Sequence, residues 1–157
     1  MRYAIWLLLL TASTLAASSG KPVEPAPQAL ERARVLAVQV TGCPGAYAFA
    51  VTVQSPDSGC DRYADWWEVV THDGSELLYR RVLLHSHASE QPFTRSGGPV
   101  LLDPDTLVVV RVHVKPSGYA ADALKGSATA GFEPVVLPQG FGAQLARSGP
   151  LPTSCWF

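Results

Sequence analysis

The chain has 157 residues, 47% of them hydrophobic and 16% charged, with a formal net charge of -1 at neutral pH. That length fits one domain with a proper core, and the composition excludes a disordered chain. The even charge balance carries neither the basic footprint of a nucleic-acid binder nor a like-charged block suited to a membrane surface.

Arg2 precedes an apolar run, Tyr3 to Leu10, and a small, polar stretch from Thr11 to Gly20 containing Ala16, Ala17, Ser18 and Ser19. This is the order of a secretory signal, assigned to residues 1–19. The apolar run is short of the roughly 20 residues that cross a bilayer. A periplasmic or secreted protein without a transmembrane anchor after signal removal is therefore expected. No cysteine follows the run, which argues against lipid attachment there. Residues 20–33 hold the proline-rich Lys21 to Gln28, an extended spacer.

Beyond the spacer the hydrophobic period is two. Leu36, Val38 and Val40 form one face. Tyr47, Phe49, Val51 and Val53 alternate with Ala48, Ala50, Thr52 and Gln54. Each pattern describes a half-buried strand. Trp66 to Thr71 is a third strand. The Asp73-Gly74 pair then signals a hairpin into a return strand from Leu77 to His87. Leu107 to Lys115 carries the strongest alternation, with Val108, Val110, Val112 and Val114 on one side. Gly126 to Gly131 reads as a weak last strand, and 133–157 as a Pro/Gly-rich strap.

Such spacing, without a sustained helical period, predicts an all-β domain over 34–132. The expected form is an antiparallel β-sandwich of about seven strands, immunoglobulin- or fibronectin-III-like. The run Leu102-Asp103-Pro104-Asp105-Thr106 resembles the turn before the penultimate fibronectin type III strand. Those modules carry tyrosine at the place of Val108.

Cys43, Cys60 and Cys155 allow one bridge and one leftover in an oxidising compartment. Cys43 and Cys60 flank one predicted strand and are the favoured pair. Cys155 is the alternative partner, pinning the tail to the domain, or a free thiol able to link two chains.

Chemistry concentrates between Tyr79 and Gly98. Period two puts His85 and His87 on one strand face, about 7 Å apart along the chain. Glu90 follows in a turn, and His113 could join from the strongest strand if that strand lies alongside. Such nitrogen and oxygen donors suit zinc or copper. Arg81 and Arg111 oppose this reading, because Arg81 shares the predicted face of His85 and His87 and Arg111 that of His113. The competing reading is that the imidazoles only hydrogen-bond loop carbonyls. Glu90 to Arg95 is either a recognition loop offering Glu90, Thr94 and Arg95 to a polar ligand, with Arg81 beside it, or a loop tied down by an Arg95–Glu90 pair. The loop from Asp57 to Asp65 offers three carboxylates, but Arg62 among them favours turn and capping duty over calcium. Nucleophile-elbow, His-Glu-x-x-His, Cys-x-x-Cys and phosphate-loop motifs are absent. No catalytic residue is assigned.

The middle third resembles a family of bacterial secreted or uncharacterised proteins. It does so through Tyr63, Ala64, Asp65 and Trp67, then Gly74, then Arg81, Leu83, His85, His87 and the run Glu90-Gln91-Pro92-Phe93-Thr94-Arg95. Cys60 stands where that pattern has tryptophan and Ser86 where it has proline. The resemblance marks where a site would be and implies no particular activity. Three functions follow as expectations: an exported binding module with a polar His/Glu/Arg site, a purely structural or protein-interaction domain, and, with least support, a metal-dependent hydrolase.

Overall fold

The computed structural model describes residues 32–156. The signal and almost all of the spacer expected from the sequence lie outside the described residues. Among the described residues nine strands follow in chain order: β1 (Arg34–Cys43), β2 (Ala46–Gln54), β3 (Tyr63–Thr71), β4 (Leu77–Val82), β5 (Phe93–Val100), β6 (Val108–Lys115), β7 (Gly118–Tyr119), β8 (Asp122–Ser127) and β9 (Gly131–Val136). One short 3-10 turn spans Ala143–Arg147. No helix among the described residues is long and apolar enough to cross a membrane.

The all-β class is as expected, but the arrangement is not a sandwich. The strands form one sheet in the order β4-β3-β6-β8-β1-β2-β5, with β7 on β6 and β9 on β8. All pairings are antiparallel except β1 with β8, which is parallel. The sheet is therefore mixed, curls into a nearly closed barrel, and has more strands than the seven foreseen. Alternation shows that a strand has one buried face, and both a sandwich and a barrel supply one. The closing neighbours β4 and β5 meet at Gly97, where a Cβ would strike the Tyr79 hydroxyl at 2.5 Å.

The interior is filled from alternating positions. Phe49, Val51 and Val53 of β2, Trp67 and Val69 of β3, and Val108, Val110, Val112 and Val114 of β6 share one buried cluster. The opposite faces of β3 and β6 are also buried. There Val70 and Val109 join Ala123, Leu137 and Leu145 in a second cluster beneath the C-terminal segment. The chain beyond residue 132 thus covers the outside of the central strands. It starts within β9, and the expected last strand, 126–131, is instead the end of β8, the turn at 128–130 and the first residue of β9.

This covering segment is anchored by charge. Glu68 of β3 pairs across the sheet with Arg80 of β4 on one side and Arg111 of β6 on the other. All three side chains are fully buried, with closest Arg–Glu distances of 2.6 and 2.7 Å. The guanidinium groups also donate to carbonyls of Phe141, Gly142, Leu145, Ser148 and Pro150. Arg111 stacks on Tyr119, its Cζ 3.5 Å from the ring centre. Burial, with Glu68 nearby, pushes the Tyr119 hydroxyl up to about 12.

The disulfide joins Cys60 to Cys155, not to Cys43. Cys43 ends β1 at the tip of the β1–β2 hairpin and is free and exposed. The C-terminal segment crosses to the loop before β3 and brings Cys155 to within 5.6 Å of Cys60 between Cα atoms. Adjacency in sequence favoured the wrong pair because the strap's path is a tertiary feature.

Candidate functional site

β4 ends at Val82, earlier than the return strand foreseen. His85 is held beyond it by a single parallel bridge to Trp156, in which the Trp156 N–H donates to the Leu84 carbonyl at 2.7 Å. His87 is the anchored member of the pair. Its backbone N–H donates to Asp57 Oδ2 at 2.8 Å, and its carbonyl accepts from the Gln91 side chain at 3.1 Å. Gln91 in turn accepts from the Ser55 N–H at 2.9 Å. The 85–91 segment is therefore tied to the segment after β2. Gln91 and the chain around it supply these ties with side-chain amides where no regular ladder exists.

The two imidazoles meet. Their ring centres are 4.3 Å apart, and the His87 ring stacks on Phe93 at 3.8 Å. Glu90 Oε1 lies 3.9 Å from His85 Nε2 and 3.7 Å from His87 Nε2. The donor atoms of His85, His87 and Glu90 all fall within 4.8 Å of one another. Two ligands at tetrahedral angles on a zinc ion stand about 3.4 Å apart. The two separations from Glu90 Oε1, 3.9 and 3.7 Å, exceed that by a few tenths of an ångström, and the whole donor set lies within 4.8 Å.

Burial divides the roles. The His87 side chain is fully enclosed, whereas those of His85 and Glu90 are about half exposed. Neither ring nitrogen of His87 has a hydrogen-bond partner. Its Nδ1 looks toward Asp57 Oδ2 at 3.7 Å, too far for a bond. Buried polar atoms are rarely left in this state. Burial, the neighbouring His87 and Arg95 together hold His85 below the ordinary imidazole value of 6.5. Its nitrogen is therefore free to bind a cation at neutral pH.

Asp57 is the residue that sequence reasoning undervalued. Its Oδ1 accepts the Ala64 N–H at 2.9 Å while Oδ2 holds His87. Burial acts to raise its carboxyl, but the neighbouring His87 and Ser55 side chains, with the N–H groups of His87 and Ala64, outweigh it and hold the group below 3.8. The unfolded chain takes up a proton on this carboxyl first as pH falls. Its stabilising contribution is complete above 3.8 and is lost as pH drops through the lower folded value. Asp57→Asn is expected to flatten that acid limb of stability, and a series of urea melts against pH checks it. An unchanged slope below pH 4 would rule this out.

The remaining expected residues lie elsewhere or compete. His113 is not part of the group. Its strand, β6, is separated from β4 by β3, and its Nδ1 is 2.6 Å from Asp65 Oδ1 while its ring stacks on Trp66. Arg81 is exposed on β4 and, among the described residues, hydrogen-bonds none of the three. Thr94 lies on β5, not in a loop, with its hydroxyl 2.8 Å from that of Thr52. Arg95 bonds Glu90 Oε1 at 2.5 Å, the same oxygen that faces the imidazoles. An open hollow of about 430 Å³, lined by His85, Ser86, Ala88, Ser89 and Trp156, adjoins the histidines.

The chain is 44% identical over 96 residues to a protein of Halomicrobium mukohataei named "putative lipoprotein". The match takes in 60% of this chain and 47% of that protein, so the chain spans about half the length of the relative it matches. No family model matches the chain, and no solved structure matches it.

Proposed function

We propose that this is an exported β-barrel-like binding module that holds one divalent transition-metal ion, zinc or copper, on His85, His87 and Glu90. The carrying observation is the fully buried His87 ring with both nitrogens unpartnered, one of them facing a carboxylate and a second imidazole. A metal would satisfy His87 Nε2 and offset the cost of burying it bare. Two borderline imidazoles and one harder carboxylate make a nitrogen/oxygen set that zinc and copper accept. The hollow beside His85 gives an outside ligand a route to a further coordination position. Export is supported by the N-terminal pattern, by a disulfide and by the name of the relative.

The test is metal titration of protein carrying no histidine tag. One equivalent of zinc or copper should bind to the wild type, and His85→Ala with His87→Ala should bind none. Equal uptake by both proteins contradicts the proposal.

The Arg95–Glu90 contact favours a second reading, in which the cluster only orders a loop. The two readings diverge at Arg95→Gln. If Glu90 serves a metal, removing the competing cation raises zinc affinity by about 2- to 5-fold, the scale of a partly exposed ion pair. If the pair is only a tie, the variant melts lower and zinc affinity does not rise. Isothermal titration together with thermal melts decides between them.

A further inference from the structure

We infer that the Cys60–Cys155 disulfide is a redox latch that holds the two histidines in register, so that a dithiol reductant lowers the metal affinity of the site. This rests on the metal reading above.

The two imidazoles have separate supports. His87 is fixed through its backbone N–H to Asp57, three residues before Cys60 in the loop between β2 and β3. That loop is braced on itself, Ser58 N–H donating to the Arg62 carbonyl at 2.9 Å, and on β6, where Lys115 Nζ donates to the Cys60 carbonyl at 3.1 Å. His85 is fixed from the other side through the Trp156 N–H on the Leu84 carbonyl, one residue after Cys155. The disulfide therefore joins the support of one metal ligand directly to the support of the other. Trp156 is 67% exposed, so little packing holds this strand of chain in place once the covalent link is gone. Upstream, the C-terminal chain is anchored at Ser148 and Pro150 by Arg80, so release would be confined to the last few residues.

The chemistry is ordinary exchange. A thiolate of the reductant attacks one sulfur of Cys60–Cys155, the Sγ–Sγ bond breaks, and a mixed disulfide forms. The second thiol of the reductant resolves it. The reductant leaves as its own disulfide, and Cys60 and Cys155 carry away the two electrons and two protons as thiols. With the tail freed, the His85 segment loses the one strand-like bridge it makes among the described residues, and the preorganised spacing of His85 with His87 and Glu90 relaxes. Loss of such outer support commonly weakens metal sites by 10- to 100-fold.

The experiment uses the mature, untagged chain and zinc alone, measured by competition with a chromophoric chelator. Cys60→Ser with Cys155→Ser removes the bond without creating thiolate ligands. Trp156→Pro keeps the bond but deletes the N–H that holds the His85 segment. Both variants should stay folded by circular dichroism and bind zinc at least ten-fold more weakly than the oxidised wild type. Unchanged affinity in the folded double variant overturns the latch and leaves the metal reading standing. An oxidised wild type that binds no zinc and no copper overturns both. If the double variant fails to fold, Trp156→Pro decides alone, and wild-type affinity in it overturns the latch.

Discussion

Glu68→Leu is expected to cost about 3–5 kcal/mol of folding stability, the range seen when one partner of a buried ion pair is removed. Here the penalty falls on two cations. Arg80 and Arg111 are both fully buried and share Glu68, one on each carboxylate oxygen. Without the carboxylate, two guanidinium groups remain beneath the C-terminal segment with backbone carbonyls, the Tyr119 hydroxyl and aromatic faces but no counter-charge from Glu68. Trp66 and Tyr119 supply those faces, at 4.4 and 3.5 Å from the Arg80 and Arg111 Cζ atoms. Glu68→Gln keeps the shape and some hydrogen bonding, so a smaller loss is expected. Urea unfolding followed by intrinsic fluorescence measures both. A loss below about 1 kcal/mol for the leucine variant would mean that the triad contributes little, as exposed pairs do.

His87→Phe is expected to separate binding from stability. Zinc affinity should fall by 100-fold or more, since the most buried ligand is gone and two half-exposed ligands remain. Stability of the metal-free protein should rise by about 1–3 kcal/mol, the penalty normally attached to buried polar atoms without partners. The ring would keep its stack on Phe93, whose centre lies 3.8 Å away, in nearly the same flat shape, one ring atom larger. The backbone bond to Asp57 would persist, because it uses the N–H of residue 87 and not the imidazole. Thermal melts and zinc titration on one preparation check both halves. A variant that loses stability while keeping its zinc affinity would show that the imidazole serves packing alone.

Much of this site was legible in the chain, and the reasons are local. His85 and His87 stand two apart in extended backbone, and Glu90 lies one turn further on, so short-range geometry alone brings them together. The alternation in β2 and β6 likewise identified their core faces. What escaped were relations set by tertiary neighbours. His113 has the right chemistry, but β3 stands between its strand and β4, and Asp65 claims its ring. Glu68, Arg80 and Arg111 read as ordinary outward positions until the C-terminal segment covers that face of the sheet. The loop expected over Glu90 to Arg95 runs into β5 from Phe93, and two glycines and a proline further along hide that edge strand. The parallel pairing of strands β1 and β8 belongs to a curled single sheet in place of the foreseen sandwich, and no period in the sequence encodes it.

The most direct measurement is anomalous diffraction at the zinc edge from crystals of the untagged, oxidised protein grown with one equivalent of zinc. A single peak about 2.0–2.2 Å from His85 Nε2, His87 Nε2 and a Glu90 carboxylate oxygen is the predicted outcome. A protein that shows no peak there, with the His87 ring still bare and Arg95 still on Glu90, would contradict the assignment of this cluster as a metal centre.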